Sequence, residues 1–114
     1  MDVDPLFLAV QDRMSVLEYE HWKREFEIST LEHAGRIVAV FQNKGPEFHF
    51  FTFYGHCFTR REVVDALRAV IEKYGCVTTT TPRTDPRQQR FNLRIGFKQT
   101  GVDNENVYYR LDSI

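Results

Sequence analysis

A few side chains in this sequence have the types and spacing needed for acid–base, nucleophilic or anion-binding chemistry. His49 lies inside the aromatic run Phe48-His49-Phe50-Phe51-Thr52-Phe53-Tyr54. An imidazole titrates near neutral pH, so His49 is a candidate general base; the plainer alternative is a hydrogen-bonded histidine at the rim of a core. His56 and Cys57 are adjacent and have the residue types of a base and a thiolate nucleophile, but neighbours in an extended segment point apart, which weakens the pairing. His49, His56 and Cys57 match no recognised ligand spacing, so no metal is expected. Arg87, Arg90 and Arg94 recur at three- and four-residue steps, with Arg83 just before them. On a helix they form a basic stripe, which is either a solvated face or a surface for phosphate, since guanidinium groups bind phosphate in bidentate fashion.

The elements that must position these residues follow from pattern. The chain has 114 residues, 42% of them hydrophobic and 14% aromatic, enough for one domain around one core, 1–114. Fifteen Lys and Arg face sixteen Asp and Glu, so overall charge does not favour a nucleic-acid or anionic-membrane partner. No apolar run reaches the roughly 18 residues of a membrane span, and the acidic start Met1-Asp2-Val3-Asp4 lacks a basic leader, so a cytoplasmic protein with no membrane partner is expected. Cys57 and Cys76 have no paired spacing and are expected as free thiols.

Apolar groups at Leu6, Val10, Met14 and Leu17 predict one helix from Pro5 to about Lys23. Phe26–Ser29 and Ile37–Phe41, joined by the turn His33-Ala34-Gly35-Arg36, predict a hairpin. The aromatic run after Asn43-Lys44-Gly45-Pro46 predicts a central strand covered on both faces. Thr59-Arg60-Arg61-Glu62 has the form of a capping box opening a helix whose core stripe is Val63, Leu67, Val70, Ile71 and Tyr74, with Gly75 closing it. Cys76–Thr81 predicts a strand. Asp85, Pro86 and Gln88 mark the start of a second helix ending at Gly96, and Phe97–Gly101 with Val107–Leu111 predicts a closing hairpin. The fold class is therefore α/β, with a mixed, mostly antiparallel sheet and flanking helices.

A meander of three strands, a helix, a strand, a helix and a closing hairpin resembles the core of the GNAT acyltransferase superfamily over roughly Phe26 to Leu111. The residues carrying the likeness are Arg90-Phe91-Asn92-Leu93-Arg94-Ile95-Gly96-Phe97-Lys98 followed by Gly101, which look like the family's helix ending in a Gly-Phe element. The chain also looks similar to small phage-encoded GNAT-like proteins of head assembly or the virion interior. The resemblance implies acetyl-CoA as cofactor, with its pyrophosphate held by backbone N–H groups and a helix N-terminus after the central strand. The matching stretch here is Tyr54-Gly55-His56-Cys57-Phe58-Thr59-Arg60-Arg61. It keeps one glycine, and bulky His56, Cys57 and Phe58 restrict backbone approach, while the helix start with two arginines still attracts an anion.

Two further departures follow from the same resemblance. The family's proton-donating tyrosine falls at Asn92, which can donate a hydrogen bond toward a cofactor but is no acid. Tyr108 or Tyr109 can replace it, though adjacent strand residues face opposite sides, so one at most does. The 25 residues ahead of Phe26 are too few for the family's opening strand and two helices. Two functions are thus expected, with an anion- or nucleic-acid-binding module using the Arg83, Arg87, Arg90 and Arg94 stripe as a second, less favoured alternative. The main one is a non-catalytic GNAT-like assembly or interaction protein that associates with itself or a partner through its shortened N-terminal side. The alternative is an acyl-CoA-dependent N-acetyltransferase with His49 as base.

Overall fold

The computed structural model describes residues 4–114. Ten elements follow in order: α1 (Pro5–Val10), α2 (Val16–Glu25), β1 (Glu27–His33), β2 (Arg36–Lys44), β3 (Glu47–Thr52), α3 (Arg60–Tyr74), β4 (Val77–Pro82), α4 (Pro86–Ile95), β5 (Lys98–Val102) and β6 (Asn106–Leu111). The strands form a six-stranded sheet in the order β1-β2-β3-β4-β6-β5, mixed and mostly antiparallel. No helix among the described residues is long and apolar enough to cross a membrane. The chain divides into two compact units, one of residues up to Lys44 with Phe50–Cys57, the other of Gly45–His49 with Phe58–Ile114.

In the first unit the expected single N-terminal helix is two. Ser15 interrupts it: its hydroxyl accepts the Glu18 N–H at 3.2 Å, so the chain restarts as α2 after a turn. The stretch expected to be too short for an opening strand and two helices holds both helices, and no strand precedes them among the described residues, so the first described strand is β1. Both helices cover the β1–β2 hairpin, where Val10, Tyr19, Trp22, Ile37 and Val40 form the core. The predicted turn is present, with Ala34 and Gly35 both at positive φ, as a tight turn matched to strand twist requires. A register shift between Leu31 and Glu32 bends β1.

In the second unit α3 buries Val63, Leu67 and Val70, as its stripe predicts, and Gly75 ends it in the left-handed region at φ 84°. Asp85 caps α4 by accepting the Gln88 N–H at 3.0 Å. β4 pairs antiparallel with β6, and β6 with β5, burying Val77, Val107, Tyr109 and Leu111. β3 is third in the sheet, but of its aromatic residues only Phe48 is fully buried. Phe50 and Phe51 are half-buried, so the covering expected on both faces is incomplete.

Candidate functional site

In the second unit β3 and β4 run parallel and share a ladder at one register position, Glu47 opposite Thr78. The Thr78 N–H donates to the Pro46 carbonyl at 2.8 Å, and the Thr79 hydroxyl to the Phe48 carbonyl at 2.8 Å. His49 follows directly. Its Nε2 lies 3.1 Å from Glu47 Oε1, because residues two apart on a strand share a face. With Nε2–H donated to that carboxylate, the Nδ1 lone pair is left to accept a proton. Glu47 is the partner that the sequence reading missed, although Glu-x-His on a strand is a legible signal.

At the α3 N-terminus both halves of the expected capping box are made. The Thr59 N–H donates to Glu62 Oε1 at 2.8 Å, and the Glu62 N–H to Thr59 Oγ1 at 3.3 Å. The Val63 N–H donates to the Thr59 carbonyl. The backbone N–H groups of Arg60 and Arg61 point out of the first turn with no protein partner among the described residues, and both side chains are exposed. Arg61 makes a loose, exposed pair with Asp65 at 3.9 Å, worth little in water.

Asn92 is buried, at 3% exposure, and its amide is engaged at both ends. Nδ2 donates to Thr81 Oγ1 at 2.8 Å, and Oδ1 accepts from Gln88 Nε2 at 3.0 Å. The structure therefore uses this side chain, which the resemblance assigned to the cofactor, to clamp α4 to β4. Tyr109 is also buried, and desolvation pushes its hydroxyl above the usual tyrosine range. Tyr108 is exposed; its hydroxyl donates to Asp103 Oδ2 at 2.6 Å, which raises the phenol and lowers the carboxyl. As expected of neighbours on a strand, the two tyrosines have opposite environments.

The first unit holds Tyr54 to Cys57. The Phe53 N–H donates to the Val38 carbonyl at 2.8 Å and the His56 N–H to the Phe53 carbonyl at 3.1 Å, closing a turn in which Tyr54 and Gly55 both have positive φ. Left-handed backbone strains a bulky residue such as Tyr54. Arg36 lies over its ring at 4.4 Å to the centroid. The His56 ring packs edge-on against His33, with centroids 4.8 Å apart, and the Cys57 thiol faces the Gly55 carbonyl at 3.8 Å. His56 and Cys57 thus engage different partners, and the structure does not join them as base and nucleophile. Two amides expected to hold an anion, those of His56 and Thr59, are already bonded within the chain.

No family model matches the chain, and no curated protein matches it. Solved structures do. The Campylobacter jejuni N-acetyltransferase PseH superposes with a TM-score of 0.75 at 9% identity, over 100% of this chain and 93% of that one. The dodecameric spermidine N-acetyltransferase from Vibrio cholerae gives 0.73 at 12% identity, over 96% and 90%. A Bacillus subtilis acetyltransferase in complex with CoA gives 0.69 at 11% identity, over 100% and 95%. This chain has the GNAT fold. At these identities the likeness establishes architecture, and the chemistry must be read from this chain's own residues. For the CoA that the GNAT fold implies, the donor set is the Arg60 and Arg61 N–H groups with their two guanidinium groups, and a diphosphate fits it chemically. Two carboxylates of the wrong sign lie beside it, Glu62 in the capping box and Asp65 against Arg61.

Proposed function

We propose that this protein is an acyl-CoA-dependent N-acyltransferase acting on an amine. The observation that carries the reading is the Thr59-capped start of α3, where the amides of Arg60 and Arg61 are uncommitted and two guanidinium groups are exposed. A fold shared with acetyltransferases, one of them solved with CoA, supports catalysis over the assembly role that the sequence also suggested. When bound, the cofactor supplies an acyl group activated as a thioester. Arg60 and Arg61 neutralise its diphosphate. His49, oriented by Glu47, accepts a proton from the acceptor ammonium at Nδ1, so that the amine lone pair is free to attack. Of the two tyrosines expected as acids, Tyr109 is buried and the Tyr108 proton is held by Asp103, which weakens it as an acid, so solvent supplies the proton to the departing thiolate. Self-association through the N-terminal helices, which expose Leu8, Val16 and Leu17, belongs to the same proposal and is read by light scattering.

Calorimetric titration with acetyl-CoA tests the central claim. Ligand at 100 times Kd stabilises a folded protein by about 2.7 kcal/mol, a rise in Tm on the order of 10 °C for a domain of this size. No heat and no thermal shift at millimolar acetyl-CoA removes the proposal. His49→Gln lowers kcat by roughly 100-fold, with acetyl-CoA binding unchanged.

A further inference from the structure

The stripe Arg87, Arg90 and Arg94 has no part in the chemistry above, and the structure shows how it is laid out. At 3.6 residues per turn the three side chains fall within about 60° of the α4 circumference. Asn92 and Ile95 are buried on the other side of the helix. All three arginines are exposed, and none makes an ion pair or side-chain hydrogen bond among the described residues. Arg83, just ahead of α4, is also exposed; it donates to the Asp103 backbone carbonyl at 3.2 Å, and its charge is partly offset by the nearby Asp103 carboxylate.

This arrangement works against the helix that bears it. Like charges three and four residues apart repel. Arg87 stands in a first turn that holds no acidic residue, where the helix dipole disfavours a cation. A partner that brings negative charge relieves both effects. The second unit has ten Lys and Arg against eight Asp and Glu, so the near-neutral whole chain conceals a locally basic half. Every basic residue of the stripe is Arg, whose planar fork matches phosphate oxygens. Leu93 is the only exposed large apolar residue of α4, and a protein interface needs a larger apolar centre than that. The rise from Arg87 to Arg94 is about 10 Å, the length of three nucleotide steps along one strand.

We propose that the arginine face of α4 binds the phosphate backbone of a nucleic acid without reading its sequence. This does not rest on the acyl-transfer reading, and failure of acetyl-CoA binding leaves it standing. The experiment is fluorescence anisotropy of the full chain with a labelled 20-base-pair DNA duplex and a hairpin RNA, each of arbitrary sequence, across a salt series. Three phosphate contacts give a slope of log K against log salt of about −3, a loss on the order of 40-fold between 50 and 200 mM. The triple variant Arg87→Gln/Arg90→Gln/Arg94→Gln loses at least tenfold in affinity, while Arg68→Gln, on α3, stays within about twofold. Excess CoA does not displace the duplex. Absence of binding at 50 mM salt, a flat salt dependence, an unchanged triple variant or displacement by CoA each overturns the proposal. Equal or tighter binding of poly-glutamate overturns it in favour of an acidic polypeptide. The wild-type salt slope and the single variant Arg90→Gln, expected to lose about threefold, keep the test valid if the triple variant does not fold.

Discussion

Glu62 has two effects at one helix end. Its carboxylate completes the capping box with Thr59, and its negative charge lies beside the amides that the acyl-CoA reading assigns to a diphosphate. Two unit charges about 4 Å apart in water interact by about 1 kcal/mol, roughly a fivefold change in affinity. Gln fills the same capping position as Glu. Glu62→Gln therefore keeps α3 and tightens binding of CoA, and of inorganic pyrophosphate alone, by roughly fivefold in calorimetry. Equal or weaker binding by the variant would show that the diphosphate does not sit near this carboxylate. His49 is a second case of a side chain whose type was legible and whose partner was not. The imidazole stands out in the aromatic run, but its use as a base depends on Glu47 fixing the ring, and that contact exists only once both residues share a strand face.

At the scale of elements, punctuation was read well and interruptions were not. Thr59, Gly75, Asp85 and Gly96 mark α3 and α4 in the sequence as they do in the structure, because caps act within three or four residues of chain. Ser15 carries the same kind of signal, Ser-x-x-Glu, yet the apolar spacing of Leu6 to Leu17 runs through it and suggests a single helix. Long-range polar contacts leave no periodic trace at all. Asn92 matches a family acid position in order along the chain, while its buried link to Thr81, eleven residues away, depends on how α4 packs over β4. Asn92→Leu removes the acceptor for Gln88 and the donor for Thr81 in a buried site, which costs about 1–3 kcal/mol. Urea unfolding of the variant checks this; a loss below about 0.5 kcal/mol would mean that water replaces the amide and that the clamp is incidental.

Across the whole molecule, most titratable groups with resolved shifts among the described residues belong to pairs that include a carboxylate, and together with the buried Tyr109 they set a pH window. The Tyr19 hydroxyl donates to Asp4 and lowers that carboxyl, the Tyr108 hydroxyl and two backbone amides lower Asp103, and Lys44, 2.9 Å away, lowers Glu25. Each of these carboxyls holds its proton less readily folded than unfolded. Their contribution is therefore complete above the unfolded values, about 4, and is lost as pH falls through the lower folded values. The tyrosines have the opposite sign. Desolvation and Asp4 raise Tyr19, Asp103 raises Tyr108, and burial raises Tyr109. Their contribution is complete below about pH 10 and is lost as pH climbs through the raised values. Thermal unfolding from pH 3 to 11 should thus show a plateau between about 5 and 10 that falls at both ends. Asp103→Asn should make the acid edge shallower, and Tyr19→Phe/Tyr108→Phe the alkaline edge, leaving the part due to Tyr109. An alkaline edge equally steep in the double variant would mean that these hydroxyl–carboxylate bonds do not form in solution.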